Sequence, residues 1–184
     1  MANPALKLPS YDDILDLSDN KVGEIINGRL EVHPRPAPKH ALASSALGGE
    51  LFFPFQKKDD PDGWWILDEP ELHINEHILV PDLAGWRKRR MPTLPDTAWF
   101  ELAPDWVCEI LSPATTKTDR SEKMPIYATL NLQYLWLIDP ILQTLESYQL
   151  HDGHWLLKDS LKDDDLVCTV PFSEHTFPLS NLWE

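Results

Sequence analysis

The chain has 184 residues, 42% of them hydrophobic and 10% aromatic, which is enough for one domain (residues 1–184) around a single sizeable core and too little for two. Its 30 acidic residues against 16 basic ones give a net charge of -14, a field that repels polyanions and argues against nucleic-acid binding driven by bulk charge. No apolar run approaches the ~18 residues of a membrane span, Met1-Ala2-Asn3-Pro4 lacks the features of a signal peptide, and Cys108 and Cys168 read as packed free thiols, so a cytoplasmic protein with no membrane partner is expected.

In chain order, Tyr11 to Leu17 fits a short amphipathic helix capped by Ser10. Asn27-Gly28 between Gly23–Ile26 and Arg29–Val32 is a strong hairpin signal. Apolar residues recur at helical spacing from His40 to Phe55, and Pro36 and Pro38 argue against an earlier start, which predicts a helix of about four turns. Strands are predicted at Trp64–Leu67, Glu71–Ile74 and Ile78–Val80, with Asp82 at the end of the last and Pro81 marking an edge, end or bulge. Arg87-Lys88-Arg89-Arg90 follows, either a solvated turn or a basic lip for phosphates, the turn being the plainer reading.

Trp106 to Leu111 is apolar on both faces, as in a central strand, and only Glu109 interrupts it. A helical segment around Met124–Ala128 and a buried strand at Tyr134–Asp139 then suggest a parallel crossover. Pro125 implies a helix that starts near Glu122 or kinks there. Gln143–Leu150 and His154–Leu157 form a hairpin about His151-Asp152-Gly153, and Leu166–Pro171 adds a strand. Trp64, Trp65, Trp106 and Trp136 are expected inside, whereas Trp86 and Trp99 flank the basic run and the proline-rich loop and suit surface roles.

Asp82 and Glu109 lie within apolar runs, where an isolated carboxylate is costly. A bound cation relieves that cost, and so does a salt bridge, with Arg87 or Arg120 as candidate partners; the residues alone leave both open. The histidines show no HExxH or Cys/His ligand spacing, and there is no phosphate-binding glycine loop or GxSxG elbow, which excludes the common zinc, P-loop and serine-hydrolase chemistries.

The hairpin Glu24-Ile-Ile-Asn-Gly-Arg-Leu, Val80-Pro81-Asp82, Val107-Cys-Glu109-Ile-Leu-Ser112-Pro113, Thr118-Asp119-Arg120-Ser121-Glu122-Lys123 with Tyr127 after it, and Tyr134-Leu-Trp-Leu-Ile-Asp139-Pro140 together resemble the Uma-type family. This bacterial group of predicted endonucleases has the restriction-endonuclease-like fold of the PD-(D/E)xK superfamily. The resemblance implies an α/β architecture, a mixed central β-sheet flanked by helices, with an N-terminal helix and β-hairpin. It also implies Mg²⁺, or Mn²⁺ in its place, held by Asp82, Glu109 and the backbone carbonyl of Ile110, and phosphodiester hydrolysis by water without a covalent intermediate.

The superfamily's lysine would fall two residues after Glu109, where this chain has Leu111. The family pattern puts a lysine on the following helix, here Lys123, and spacing of four places Asp119, Lys123 and Tyr127 on one helix face. Glu24 is the further acidic residue implied for the catalytic set, and His40 resembles a histidine that would contact phosphate or water. DNA is the implied substrate, and a homodimer could divide the two strands between its subunits. Two alternatives share the fold or the carboxylates: a catalytically silent binding or assembly module, and a metal-dependent hydrolase of a small phosphodiester.

Overall fold

The computed structural model describes residues 8–56 and 62–183, so Met1 to Pro4 lie outside the described residues. Ser10 opens α1, Tyr11–Leu15, with its backbone N–H and hydroxyl both donating to the Asp13 carboxylate; the helix ends two residues short of the predicted Leu17. Asn27 and Gly28, at φ of 50° and 72°, make the tight turn joining β1, Lys21–Ile26, to β2, Arg29–Pro34, as the Asn-Gly pair predicts. With β4, Leu72–Ile74, and β5, His77–Leu79, these form a four-stranded antiparallel sheet in the order β2-β1-β5-β4.

The second sheet has six strands, β10-β9-β8-β7-β6-β3: β3 is Trp64–Asp68, β6 Leu83–Arg87, β7 Trp106–Ile110, β8 Tyr134–Asp139, β9 Thr144–His151 and β10 His154–Lys162. Only β7 and β8 pair in parallel, joined by the predicted helical crossover. The strand predicted at Ile78–Val80 is β5 and ends before Pro81, one of the readings of that proline, while Asp82 lies beyond its end. Val80-Pro81-Asp82 is the link by which the chain leaves the first sheet at β5 and enters the second at β6. Pro81 can donate to no ladder, which suits a residue between two sheets.

α2, Pro38–Phe55, has 18 residues, about five turns instead of four, because Pro38 occupies the first turn, where its missing N–H costs nothing. Ala43, Leu47 and Leu51 of α2 pack on one sheet face, where the rings of Trp64, Trp106 and Trp136 surround Phe172 at centroid distances of 4.9, 4.9 and 5.6 Å. On the opposite face Val107, Leu135 and Leu137 meet Ile126 and Tyr127 of the crossover helix. Helices therefore cover both faces of the larger sheet. Trp86 belongs to this interior: it is fully buried, stacks on Phe100 and donates its indole N–H to the Leu102 carbonyl at 2.8 Å, contrary to its expected surface place. Trp65 and Trp99 are half-buried, Trp99 stacked on His73.

The predicted strand at Leu166–Pro171 reduces to β11, Leu166–Val167, which pairs with β12, Phe177–Pro178. Both cysteines are free thiols, Cys108 buried and Cys168 exposed. No helix among the described residues is long and apolar enough to cross a membrane.

Gly85 in β6 lies between two indoles: a Cβ there would sit 3.1 Å from Trp106 Cε3 and 3.1 Å from Trp64 Cε3. Gly85→Ala is expected to destabilise the protein by about 1–3 kcal/mol through overpacking. Urea denaturation should show a lower midpoint at unchanged slope, and an unchanged midpoint would mean that the two rings yield freely.

Candidate active site

Four separate elements deliver ionisable side chains to one cavity of about 290 Å³: Glu24 from β1, His40 from the first turn of α2, Asp82 from the β5–β6 link and Glu109 from β7 all line it. The crossover helix adds Asp119 and Lys123. Its path is set by Pro125. α3, Thr116–Thr118, runs through a π-helical turn, Asp119–Lys123, into α4, Met124–Thr129. In an ordinary helix the Pro125 ring would clash with the carbonyl four residues earlier; the wider turn, in which Met124 N–H bonds the Asp119 carbonyl, keeps the helix continuous. The helix therefore starts before Glu122, at Thr116, and the irregularity expected at Pro125 takes the form of this π turn. Asp119 and Lys123 are both buried within the widened turn.

Lys123, its side chain 3% exposed, places Nζ 2.8 Å from Glu109 Oε1, 3.0 Å from Glu24 Oε1 and 3.9 Å from Asp119 Oδ1. The Tyr127 hydroxyl donates to the same Glu109 oxygen at 2.5 Å. Glu24 Oε1 also accepts the Val80 N–H at 2.7 Å, and His33 Nε2 lies 3.7 Å from Glu24 Oε2. Asp82 is fixed from two sides: Oδ2 accepts the Ile110 N–H at 2.6 Å, and Oδ1 is 3.2 Å from His40 Nε2. His40 Nδ1 is buried with no hydrogen-bond partner among the described residues, so its ring is anchored through Nε2.

Burial pushes the Glu109 carboxyl well above its usual range, and Lys123 only partly offsets this because Asp119, Asp82 and Glu24 add repulsion. Burial likewise raises Asp119 to about 6 against the pull of Lys123. Burial alone would lower Lys123, but the charges of Glu109 and Glu24 outweigh it and hold the ammonium well above its normal value. These directions conflict, since a neutral Glu109 would not hold the lysine charged. With three acids within 3.9 Å, the ammonium is the form the geometry favours, the acids around it sharing any extra proton. His40 is raised too: burial opposes its charge, but the Asp82 hydrogen bond and charge and the Ile110 backbone overcome it. Burial and Glu109 keep the Tyr127 hydroxyl protonated.

The arginines considered as salt-bridge partners do other work. Arg120 pairs with Glu146 at 2.8 Å, and Arg87 lies over the Trp64 ring at 4.3 Å, at the end of β6 remote from Asp82. Lys88 covers Trp65 and Arg90 pairs with Asp105 at 2.8 Å, so the basic run is a braced turn and contributes nothing to the cavity wall. All four predicted catalytic residues, Glu24, Asp82, Glu109 and Lys123, do reach the same cavity. Asp119 and Tyr127 were placed beside Lys123 by spacing, without a role. His33, Arg35 and Glu69 on the cavity wall were missed. Strand alternation could have found His33, since it lies two residues beyond Glu31, the cross-strand partner of Glu24, and so shares its face.

Among its lining residues the cavity carries the Asp82, Glu109, Glu24 and Asp119 carboxylates, beside Lys123, Arg35 and two histidines. That chemistry suits a hard divalent cation. Among the described residues, no group of three or more His, Cys, Asp or Glu side chains is arranged to hold a metal ion.

In sequence and in fold the chain is similar to nuclease-like proteins. The chain belongs to the Uma2 family, described as putative restriction endonucleases, whose family model matches residues 8–177. It is similar to a crystal structure of a putative nuclease of the DUF820 group from Anabaena variabilis, at 26% identity and a TM-score of 0.76, covering 95% of this chain and 97% of that one. No curated protein matches the chain.

Asp119 yields a pH test. Its folded value near 6 exceeds the reference of 3.8, so the folded state binds the proton more tightly, and the charged form costs stability as pH rises through 6. Asp119→Asn is expected to stabilise the protein at pH 7 by on the order of 3 kcal/mol, a gain that shrinks below pH 6 and vanishes below 3.8. Denaturation midpoints across pH would measure it, and a pH-independent difference would show that burial of this acid carries no charge penalty.

Proposed function

We propose that this protein is a Mg²⁺-dependent DNA endonuclease in which Asp82, Glu109 and the Ile110 carbonyl hold the ion and Glu24 and Lys123 complete the site. The observation that carries the reading is the Lys123 ammonium, 2.8 Å from Glu109 in the cavity that Asp82 also lines: it supplies from the helix the cation that Leu111 cannot supply from the strand. When bound, the ion polarises a phosphoryl oxygen and offsets charge during in-line attack by water. Asp82 is held rigidly for that task by the Ile110 N–H and His40, and Glu109 by Tyr127 and Lys123.

Lys123 acts as a charged donor and not as a base, because its neighbours keep it protonated. It can orient the attacking water by hydrogen bonding and stabilise negative charge building on the phosphoryl oxygens. The buried position adds to that effect by excluding competing solvent. Mn²⁺ meets the same oxygen donors and should substitute. A homodimer cutting both strands is compatible with this chemistry but not required by it.

One observation favours a second reading, the silent module: Lys123 and Tyr127 already satisfy Glu109, so the acids need no metal to be stable. Calorimetric titration of Mg²⁺ and Mn²⁺ into the wild type and an Asp82→Ala, Glu109→Ala double variant, followed by plasmid nicking, separates the two. The expected result is site-dependent binding and nicking, both lost in the double variant. Lys123→Met should retain ion binding and lower nicking by about 10²–10³-fold. Absence of site-dependent binding would establish the silent module.

A further inference from the structure

We infer, resting on the nuclease reading above, that the substrate enters the site as an unpaired DNA strand, with one phosphate drawn down to the carboxylates and a neighbouring phosphate held by Arg35. The first argument is depth. Glu109 and Lys123 side chains are each 3% exposed and Glu24 4%, so these three lie at the base of the cavity, with Asp82, 17% exposed, above them. Its sides are two chain links, Pro34 to Ala37 between β2 and α2, and Ser112 to Thr115 after β7. At about 290 Å³ the cavity is at the lower end of the range, about 300–1,000 Å³, of small-molecule pockets. A phosphate in an intact duplex is braced by stacked neighbours on both sides, so bringing it between these walls costs more than bending a single strand. A single strand can kink and present one phosphate at the base.

The second argument is charge. A protein that tracks a duplex neutralises several phosphates, about 6–10 in strongly salt-dependent cases. Here the net charge is -14, and the basic run from Arg87 to Arg90 lies at the far end of β6, bound to its own acids and rings. Among the described residues lining the cavity, the arginines and lysines are Arg35 and Lys123 alone, and Lys123 serves the reacting phosphate at the base, which leaves Arg35 for a neighbouring one. One guanidinium at the mouth suits one flanking phosphate.

Arg35 is built for that exchange. Pro34 and Pro36 flank it and restrict its backbone before any ligand arrives. Its guanidinium donates to Glu69 at 3.2 Å and to the Asp19 carbonyl at 3.3 Å, but its side chain is 54% exposed and that of Glu69 40%. Such an exposed pair is weak and can give way to a phosphate, which accepts from the same fork of donors.

The test compares cleavage in Mn²⁺ of one labelled DNA sequence as a single strand, as a blunt duplex and as a duplex with an unpaired flap, with affinities by fluorescence anisotropy in Ca²⁺. The single strand and flap should be cut about tenfold or more faster than the duplex. Arg35→Ala should weaken single-strand binding about tenfold, raising KM more than it lowers kcat, with partial recovery in Arg35→Lys. It should also flatten the slope of log affinity against log salt by about 0.7, the share of one phosphate contact on a single strand. Arg89→Ala, on the far turn, should change none of these. Equal or faster duplex cleavage, or an Arg89→Ala loss matching that of Arg35→Ala, would overturn the inference and leave the nuclease reading intact. Cleavage of no substrate, by protein that binds Mn²⁺ through Asp82 and Glu109, would overturn both.

Discussion

The ammonium of Lys123 is the point on which this structure turns. It is buried between Glu24 and Glu109 with Asp119 one contact further out, and it joins the small sheet, the central strand of the large sheet and the crossover helix through a single atom. A cluster of acids this deeply buried could not stay charged alone, and a lysine this deeply buried would lose its proton without them. Each makes the other possible. The site is therefore part of what holds the fold together as well as the place where chemistry would occur.

Two backbone irregularities bring these charges into contact, and both centre on prolines. Pro81 lies where the chain passes from one sheet to the other, so Asp82 projects from a link between sheets instead of from a ladder, with its carboxylate bridging to the backbone of β7. Pro125 forces the π turn that holds Asp119 and Lys123 inside. The regular parts of the architecture, α2 and the tryptophan-lined core beneath it, supply a rigid platform and little of the chemistry. Rigidity matters because carboxylates must be held to within a fraction of an ångström to act together.

Much of this was legible in the residues. Alternation and turn chemistry located the Asn27-Gly28 hairpin, β7, β8 and the crossover, and the misfit of Asp82 and Glu109 with their apolar surroundings pointed to the cavity before any coordinates did. What was not legible depended on long-range pairing. Nothing local says that β5 and β6 belong to different sheets, since Pro81 marks an end or a bulge and a bulge would keep both sides in one sheet. Nor does composition reveal that Trp86 is interior: its basic neighbours, Arg87 to Arg90, suggest a surface, while the fold uses their charges to brace a turn and their stems to cover indole rings. Of the cations considered for Glu109, the arginines pair elsewhere and the one that reaches it is Lys123, which the family resemblance had put in the site. Spacing alone could not say that the turn carrying that lysine is widened, which is what holds it and Asp119 inside.

That turn also sets how the chain can vary in length. A π turn holds one residue more than the helical turn it replaces, so it behaves as an insertion stored inside a helix. Removing one residue between Asp119 and Met124 would take away the wider turn that accommodates Pro125 and rotate everything beyond it by about 100°. Tyr127 would then swing off Glu109 and a neighbour would take its place. Chains of this kind should tolerate a change of residue in the turn far better than a change in its length, the reverse of what is usual for a surface loop.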